Sequence, residues 1–273
     1  MNERENQPTA PSDSYELNPP PAYIDGGSKN NENFRVDIPN NGHNVEPAPV
    51  YIHLAPLDTK NAFIRKVYSV LAIQLLVTFI PVLICSIYKE QIPYAIRTNP
   101  VMYWTAWGVT IVLMFMFICC PKLLRKTPLN YGLLAVFTIA ESYFLSVISM
   151  YYDTSSVAIA LAATIGVVVV VTIIVVFTSF DFTKLWPIAI ALVFAWLFVC
   201  IGFIWYKSDA MVIVYAGLGV TIFTIFLAID TYLILKGGRV QYNEEDYIFA
   251  TLNLYLDIIN IFMYILMLLG GSE

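Results

Sequence analysis

The chain has 273 residues, of which 58% are hydrophobic and only 13% are Asp, Glu, Lys or Arg, and its formal net charge is −5. Soluble domains carry roughly 25% charged residues. A chain this poor in charge cannot cover a water-facing surface, so the composition indicates lipid as its solvent and gives no sign of a nucleic-acid partner.

Residues 1–60 form a separate region that is rich in Asn, Pro, Asp and Glu and holds nine of the 15 prolines. It has no hydrophobic period, so it cannot bury enough apolar surface to offset the entropy of ordering. We therefore predict a disordered N-terminal tail. It lacks the basic start and apolar core of a secretory signal, so the first apolar segment is expected to act as the insertion signal.

The tail contains the sequence PPAY at residues 20–23, a PPxY motif formed by Pro20, Pro21 and Tyr23. Prolines favour the polyproline II conformation, which a WW domain can bind at low entropic cost. The motif is similar to the docking site for WW-domain HECT-type ubiquitin ligases, which sort membrane proteins. A chance match in a proline-rich tail is the alternative. A ligase dock fits a vacuolar or endosomal itinerary and a fungal source.

From residue 61 to residue 273, long apolar runs alternate with short polar connections. A helix needs around 20 apolar residues to cross a bilayer, and unbroken apolar runs do not fit the alternating pattern of a membrane barrel. The fold class is therefore an all-α membrane protein with a bundle of about seven transmembrane helices. The predicted spans are 67–87, 100–120, 131–150, 157–177, 187–206, 211–236 and 248–269.

Lys and Arg residues near the span ends predict the orientation, because cytosolic loops carry an excess of both. The side of the tail has nine and the opposite side three. The N-terminus is therefore predicted to be cytosolic. Seven full spans would place the C-terminus on the other side, whereas a re-entrant last segment would return it to the cytosol. Hydropathy does not separate these two cases.

Three carboxylates fall inside predicted spans, namely Glu141, Asp230 and Asp257. A carboxylate at the centre of a span costs at least roughly 2.5–3.5 kcal/mol on insertion scales, so such residues usually face the bundle interior and have a function. A hydrogen-bonded structural group is the alternative for each of them. No histidine lies in the membrane part, and no Cys or His spacing resembles a metal or haem site.

Asp230 and Asp257 are expected to lie close together. Both should sit on the order of 10–15 Å from the same membrane face, given about 1.5 Å of rise per residue, and they belong to consecutive helices. Asn253, Asp257 and Asn260 form one stripe at i, i+4 and i+7. A polar stripe on an apolar helix is predicted to face a partner or a water-filled cavity, so Asn253, Asn260 and Glu141 are candidate pore-lining residues.

Two neighbouring carboxylates in a medium of low dielectric constant cannot both ionise easily, and they titrate as a unit. Such a pair can share a proton or bind a hard cation, and calcium selects oxygen ligands. The sequence therefore predicts a proton-sensitive cation pathway, in which Asp230 and Asp257 hold the ion only transiently. The residues alone do not identify the ion, and no resident cofactor is expected.

The C-terminal third resembles the transmembrane Bax-inhibitor-motif family. The resemblance rests on FTSFDFT at 177–183, IDTYLIL at 229–235 and, above all, EEDYIFATLNLYLDIIN at 244–260. FTIAESY at 137–143 is similar to the third span of the Golgi anti-apoptotic and Lifeguard-like branch. The matching region covers roughly residues 60–270 and leaves out the tail.

The resemblance implies a seven-helix bundle in an endoplasmic reticulum, Golgi or vacuole membrane. The implied activity is a pH-sensitive calcium leak that regulates calcium stores, stress responses and cell death, with apoptosis regulators as partners. The family's di-aspartyl sensor falls on Asp230 and Asp257. Bacterial members have an arginine that latches onto the first aspartate. Arg125 is the first candidate for this latch and Lys122 is the second. The alternative for both residues is that they only belong to the excess of basic residues that keeps a loop in the cytosol.

Other classes of function compete with a leak channel. The main alternative is a membrane scaffold that modulates apoptotic or unfolded-protein-response machinery without conducting ions. A seven-span receptor is disfavoured by the cytosolic tail. An enzyme is disfavoured because the membrane part offers no nucleophile–base set and no metal ligands, so the chain is not expected to be an enzyme.

Overall fold

A computed structural model describes residues 56–92, 100–119, 128–205, 208–237 and 242–270 of the chain. These residues form seven α-helices and no β-strand. Two short 3-10 turns, Phe182–Leu185 and Glu244–Asp246, precede the fifth and seventh helices. The helices are α1 (Leu57–Ile87), α2 (Pro100–Cys119), α3 (Leu129–Ser149), α4 (Thr154–Phe177), α5 (Trp186–Trp205), α6 (Asp209–Leu235) and α7 (Tyr247–Gly270).

The predicted all-α fold is confirmed, because each predicted apolar segment coincides with one helix. Six helices are long and apolar enough to cross a membrane, and in α2 the described apolar part is the shorter stretch Trp107–Phe117. α7 is an unbroken helix of 24 residues, which favours a full span over a re-entrant last segment. The chain is thus a multi-pass integral membrane protein.

Consecutive helices run antiparallel, so α1, α3, α5 and α7 begin at one side of the bundle, called here the first face. At this face Lys236, which follows α6, donates a hydrogen bond of 2.6 Å to the carbonyl oxygen of Thr178, which follows α4. At the opposite side, the second face, Lys89 after α1 lies 3.4 Å from a carboxylate oxygen of Asp153 before α4. These contacts bring the ends of α4 and α6 together at the first face, and the end of α1 beside the beginning of α4 at the second face.

α7 is the central helix, and it packs against α6, α1, α4 and α3. Its side chains are accordingly among the most deeply buried in the described chain, with Tyr255, Ile261 and Phe262 fully inaccessible. α5 is peripheral and packs mainly against α6. Large apolar side chains such as Phe198, 73% exposed, cover its outer surface, as expected for a helix whose outer face meets lipid.

Pro81 lies inside α1 and shapes the contact with α3. A proline has no N–H, so the carbonyl oxygen of Val77, four residues earlier, loses its normal helical donor. Ser142 of α3 replaces that donor with a hydroxyl hydrogen bond of 3.1 Å to the Val77 oxygen. In a membrane the alternative is an unsatisfied carbonyl, which is costly. The carbonyl group that Pro81 leaves without a helical donor therefore explains why α3 has a hydroxyl group at Ser142.

We expect Ser142→Ala to lower the free energy of unfolding by about 1 kcal/mol, the scale of interhelical hydrogen bonds in membranes. Ser146→Ala is the matched control, because Ser146 is equally buried but donates to the carbonyl of Ser142 in its own helix. Unfolding of both variants in detergent micelles measures the difference. Equal losses for both serines would contradict the role assigned to Pro81.

Candidate functional site

The structure brings Asp230 of α6 and Asp257 of α7 together, and their carboxyl groups lie within hydrogen-bonding reach of each other. A hydrogen bond between two carboxyl groups requires a proton between them. Asp257 is only 5% exposed, and no N–H or O–H donor among the described residues reaches its Oδ2 atom. A buried carboxyl oxygen without a partner is costly unless a proton or a cation satisfies it.

The pair lines a pocket of about 480 Å³ between α5, α6 and α7, which we call the aspartate pocket. Asn253 adds an amide to the same pocket, while aromatic and aliphatic side chains form most of its wall. Polar groups at one point of an apolar pocket act in a medium of low dielectric constant, where electrostatic interactions are strong. The lining residues are Trp186, Phe223, Phe226, Asp230, Leu233, Tyr242, Phe249, Asn253, Leu256 and Asp257.

Tyr242 covers the aspartate pocket at the first face. It precedes α7 in the chain, is 7% exposed, and its ring contacts Phe63 at 6.1 Å and Phe249 at 6.5 Å between centroids. Its hydroxyl lies within hydrogen-bonding reach of the Asn253 side chain. Burial raises the pKa of Tyr242, and the negative charge of Asp230 raises it further, so the phenol remains protonated above the pocket.

Reciprocal hydrogen bonds between Asn243 and Asp246 hold this tyrosine in position. The backbone N–H of Asp246 donates to the Asn243 carbonyl oxygen at 3.0 Å, and the Asp246 carboxylate accepts from the Asn243 N–H at 3.0 Å. The two residues enclose the 3-10 turn that leads into α7. Sequence analysis did not single out Tyr242. An Asn followed three residues later by Asp at a helix start was the available signal.

The polar stripe on α7 is divided between two pockets. Asn253 and Asp257 line the aspartate pocket, as the helical spacing suggested. Asn260 does not, because it lines a second pocket of about 210 Å³ together with Glu141 of α3. Glu141 is 7% exposed, and it therefore faces the bundle interior as predicted, but it does not join the two aspartates.

A buried polar network that sequence analysis missed joins α1, α3 and α7. The Gln74 amide donates a hydrogen bond of 2.9 Å to the Thr138 hydroxyl. One turn along α1, the Thr78 hydroxyl is 2.8 Å from the Tyr255 hydroxyl. Gln74 and Thr78, at i and i+4 in an apolar helix, were the sequence signal for this contact. The network fixes α7 against α1 and so helps to position Asp257.

Asp230, Asp257 and Asn253 offer few of the oxygen ligands that a tightly bound calcium ion needs, since calcium takes six to eight. The described part of the chain contains no group of three or more His, Cys, Asp or Glu residues that could hold a metal.

Two sets of predicted site residues lie outside the described residues. The latch candidates Arg125 and Lys122 fall between α2 and α3, in residues 120–127. The PPxY residues Pro20, Pro21 and Tyr23 fall in residues 1–55.

Comparison with known proteins gives consistent matches. Residues 60–273 match the family model described as "Inhibitor of apoptosis-promoting Bax1". Protein lifeguard 3 of Homo sapiens is 34% identical over 218 residues, which cover 78% of this chain and 70% of the relative. The Golgi anti-apoptotic protein of Vaccinia virus (strain Lister) is 30% identical over 236 residues, which cover 86% of this chain and 92% of the relative. The chain therefore belongs to the Bax-inhibitor family that includes the lifeguard proteins.

Proposed function

We propose that the protein is a pH-sensitive calcium leak channel of an intracellular membrane, and that Asp230 and Asp257 gate it. The observation that carries the proposal is the close approach of the Asp230 and Asp257 carboxyl groups, which line one pocket at the first face. When the pair shares a proton, its charge is reduced and cation binding is weak. When the pair loses that proton, two negative charges attract a divalent cation.

Through this leak the protein would regulate calcium stores and thereby stress responses and cell death. The names of the relatives support the link to cell death, since one is called a Golgi anti-apoptotic protein. That name also supports the Golgi as a location. The endoplasmic reticulum and the vacuole are the other proposed locations.

A membrane scaffold is the second candidate function. The family description refers to inhibition of Bax, which a protein can achieve by binding apoptosis regulators without conducting ions. In this case the two aspartates would only join α6 to α7. Calcium flux separates the two candidates, because a scaffold conducts no ions.

The test is calcium entry into vesicles that contain the purified full-length protein, measured with an internal fluorescent indicator. A leak channel should raise the rate of entry several-fold over empty vesicles, and the rate should depend on pH. Vesicles with correctly folded protein and no added flux would overturn the leak proposal and leave the scaffold.

The basic latch belongs to the same proposal. A cation near Asp230 would compete with calcium for the ionised carboxylate, so Arg125→Ala is expected to raise the basal leak at neutral pH. Lys122→Ala is the matched control from the same loop. A higher leak in Lys122→Ala and an unchanged one in Arg125→Ala would assign the latch to Lys122.

The tail is proposed to lie in the cytosol, where Tyr23 would dock a WW-domain ubiquitin ligase. Tyr23→Ala is expected to abolish binding of the isolated WW domain and to slow ubiquitin-dependent sorting, with calcium flux unchanged. Protease added to sealed organelles should also remove an N-terminal tag. A protected tag, or WW binding that survives the substitution, would contradict this role of the tail.

A further inference from the structure

Two pockets, each with polar groups in a largely apolar lining, meet at one leucine in the interior of the bundle. Leu256 lines both the aspartate pocket and the pocket that contains Glu141 and Asn260. Leu256 stands three residues after Asn253 and four before Asn260, so all three share one face of α7. The apolar side chain therefore separates a polar group of one pocket from a polar group of the other.

A contact between aromatic rings separates the pockets at a second point. Phe223 lines the aspartate pocket and Tyr264 lines the other pocket. Their rings are stacked, with centroids 5.8 Å apart and an interplanar angle of 21°. Leu256 and this ring pair together form the wall between the two pockets.

The second pocket carries the groups of a cation-binding site. The Glu141 carboxyl and the Asn260 amide both line it, and the Asn260 Nδ2 donates to the carbonyl of Leu256 at 2.8 Å. The side-chain oxygen of Asn260 takes no part in this bond. The Thr110 hydroxyl, also in the lining, is buried and has no hydrogen-bond partner among the described residues.

The second pocket extends toward the second face. Its lining includes Met267, which is three residues before the end of α7, whereas Asp257 lies ten residues after the beginning of that helix at the first face. The two pockets are therefore arranged in sequence across the bundle, with Leu256 between them.

We propose that the Glu141–Asn260 pocket is a second cation-binding site in the pathway, and that Leu256 is the hydrophobic barrier that separates it from the aspartate pocket. This inference rests on the proposed leak. A cation that leaves the aspartates must cross an apolar constriction before new oxygen ligands receive it, and such constrictions control conduction by excluding water. The aspartates sense protons, while the leucine limits the basal rate.

Leu256→Ala tests the barrier by calcium flux in vesicles. The expected result is a several-fold increase at a pH where the wild type leaks slowly, and Leu256→Phe should reduce the flux. Leu161→Ala is the matched control, because Leu161 of α4 is also partly buried against the core but lines neither pocket. Equal flux in Leu256→Ala and Leu161→Ala, with both proteins folded, would overturn the barrier.

Glu141→Gln tests the second binding site. The expected result is a several-fold lower calcium flux that still responds to pH through the aspartates, and Glu141→Asp should restore part of the loss because it keeps the carboxylate. Wild-type flux in a folded Glu141→Gln variant would overturn the site.

Thiol labelling tests the barrier independently of calcium conduction. Asn260→Cys is introduced into a protein whose native cysteines are replaced, and a small membrane-impermeant thiol reagent is added at the first face. With Leu256 present we expect no labelling, and with Leu256→Ala we expect labelling. Labelling in both proteins, or in neither, would overturn the barrier, whereas the absence of wild-type calcium flux would overturn the leak proposal alone.

Discussion

Asp257→Asn is expected to shift or abolish the pH dependence of calcium flux while the protein remains folded. Asparagine keeps the shape of the side chain and removes one ionisable carboxyl group from the pair. Asp230 then loses its proton without a second negative charge beside it, so any remaining pH response should move to lower pH. The measurement is the rate of calcium entry into vesicles against pH for wild type and variant.

The same assay on three further variants makes the result specific. Asp230→Asn should act like Asp257→Asn, and the double variant should add little to either, because a coupled pair acts as a unit. Asp153→Asn is the control carboxylate, since Asp153 lies at the second face in an exposed ion pair with Lys89. Folded single variants with the wild-type pH profile would refute the di-aspartyl gate.

The sequence predicted the helices well because the bilayer imposes a simple rule. A span must satisfy its own backbone groups and be apolar over its length, so runs such as 157–177 could be assigned directly. The proximity of Asp230 and Asp257 also followed from local quantities. Helical rise, the short connection and antiparallel order together placed both carboxylates at a similar depth.

The rest of the site depends on contacts between distant parts of the chain. Leu256 is one of many leucines in the sequence, and only the packing of α2, α3 and α6 against α7 places it between two pockets. The spacing of Asn253 and Asn260 suggested one shared cavity, but the two residues line different pockets. Helical periodicity gives the direction of a side chain around the helix axis and does not show where a cavity ends. The Ser142 contact was accessible in principle, since Pro81 frees a carbonyl at a known position.

Gly219→Ala is expected to destabilise the bundle by about 1–3 kcal/mol, the usual cost of overpacking a well-packed core. A Cβ atom at Gly219 of α6 would lie 2.7 Å from three ring atoms of Tyr264. One of these is Cγ, next to the backbone of α7, so a rotation of the ring alone cannot relieve the clash. The wall between the two pockets must therefore shift, and we expect calcium flux to change as well.

Gly217→Ala is the matched control, because a Cβ atom there meets nothing within 4 Å and the residue lies in the same helix. Alanine is the better helix former by about 1 kcal/mol, so Gly217→Ala should stabilise the protein slightly. Thermal unfolding in micelles compares the two variants. A double variant with Tyr264→Ala identifies the cause, since removal of the ring should cancel most of the cost of Gly219→Ala. If Gly219→Ala destabilises the protein equally in the absence of the ring, then contact with Tyr264 is not the reason why position 219 requires glycine.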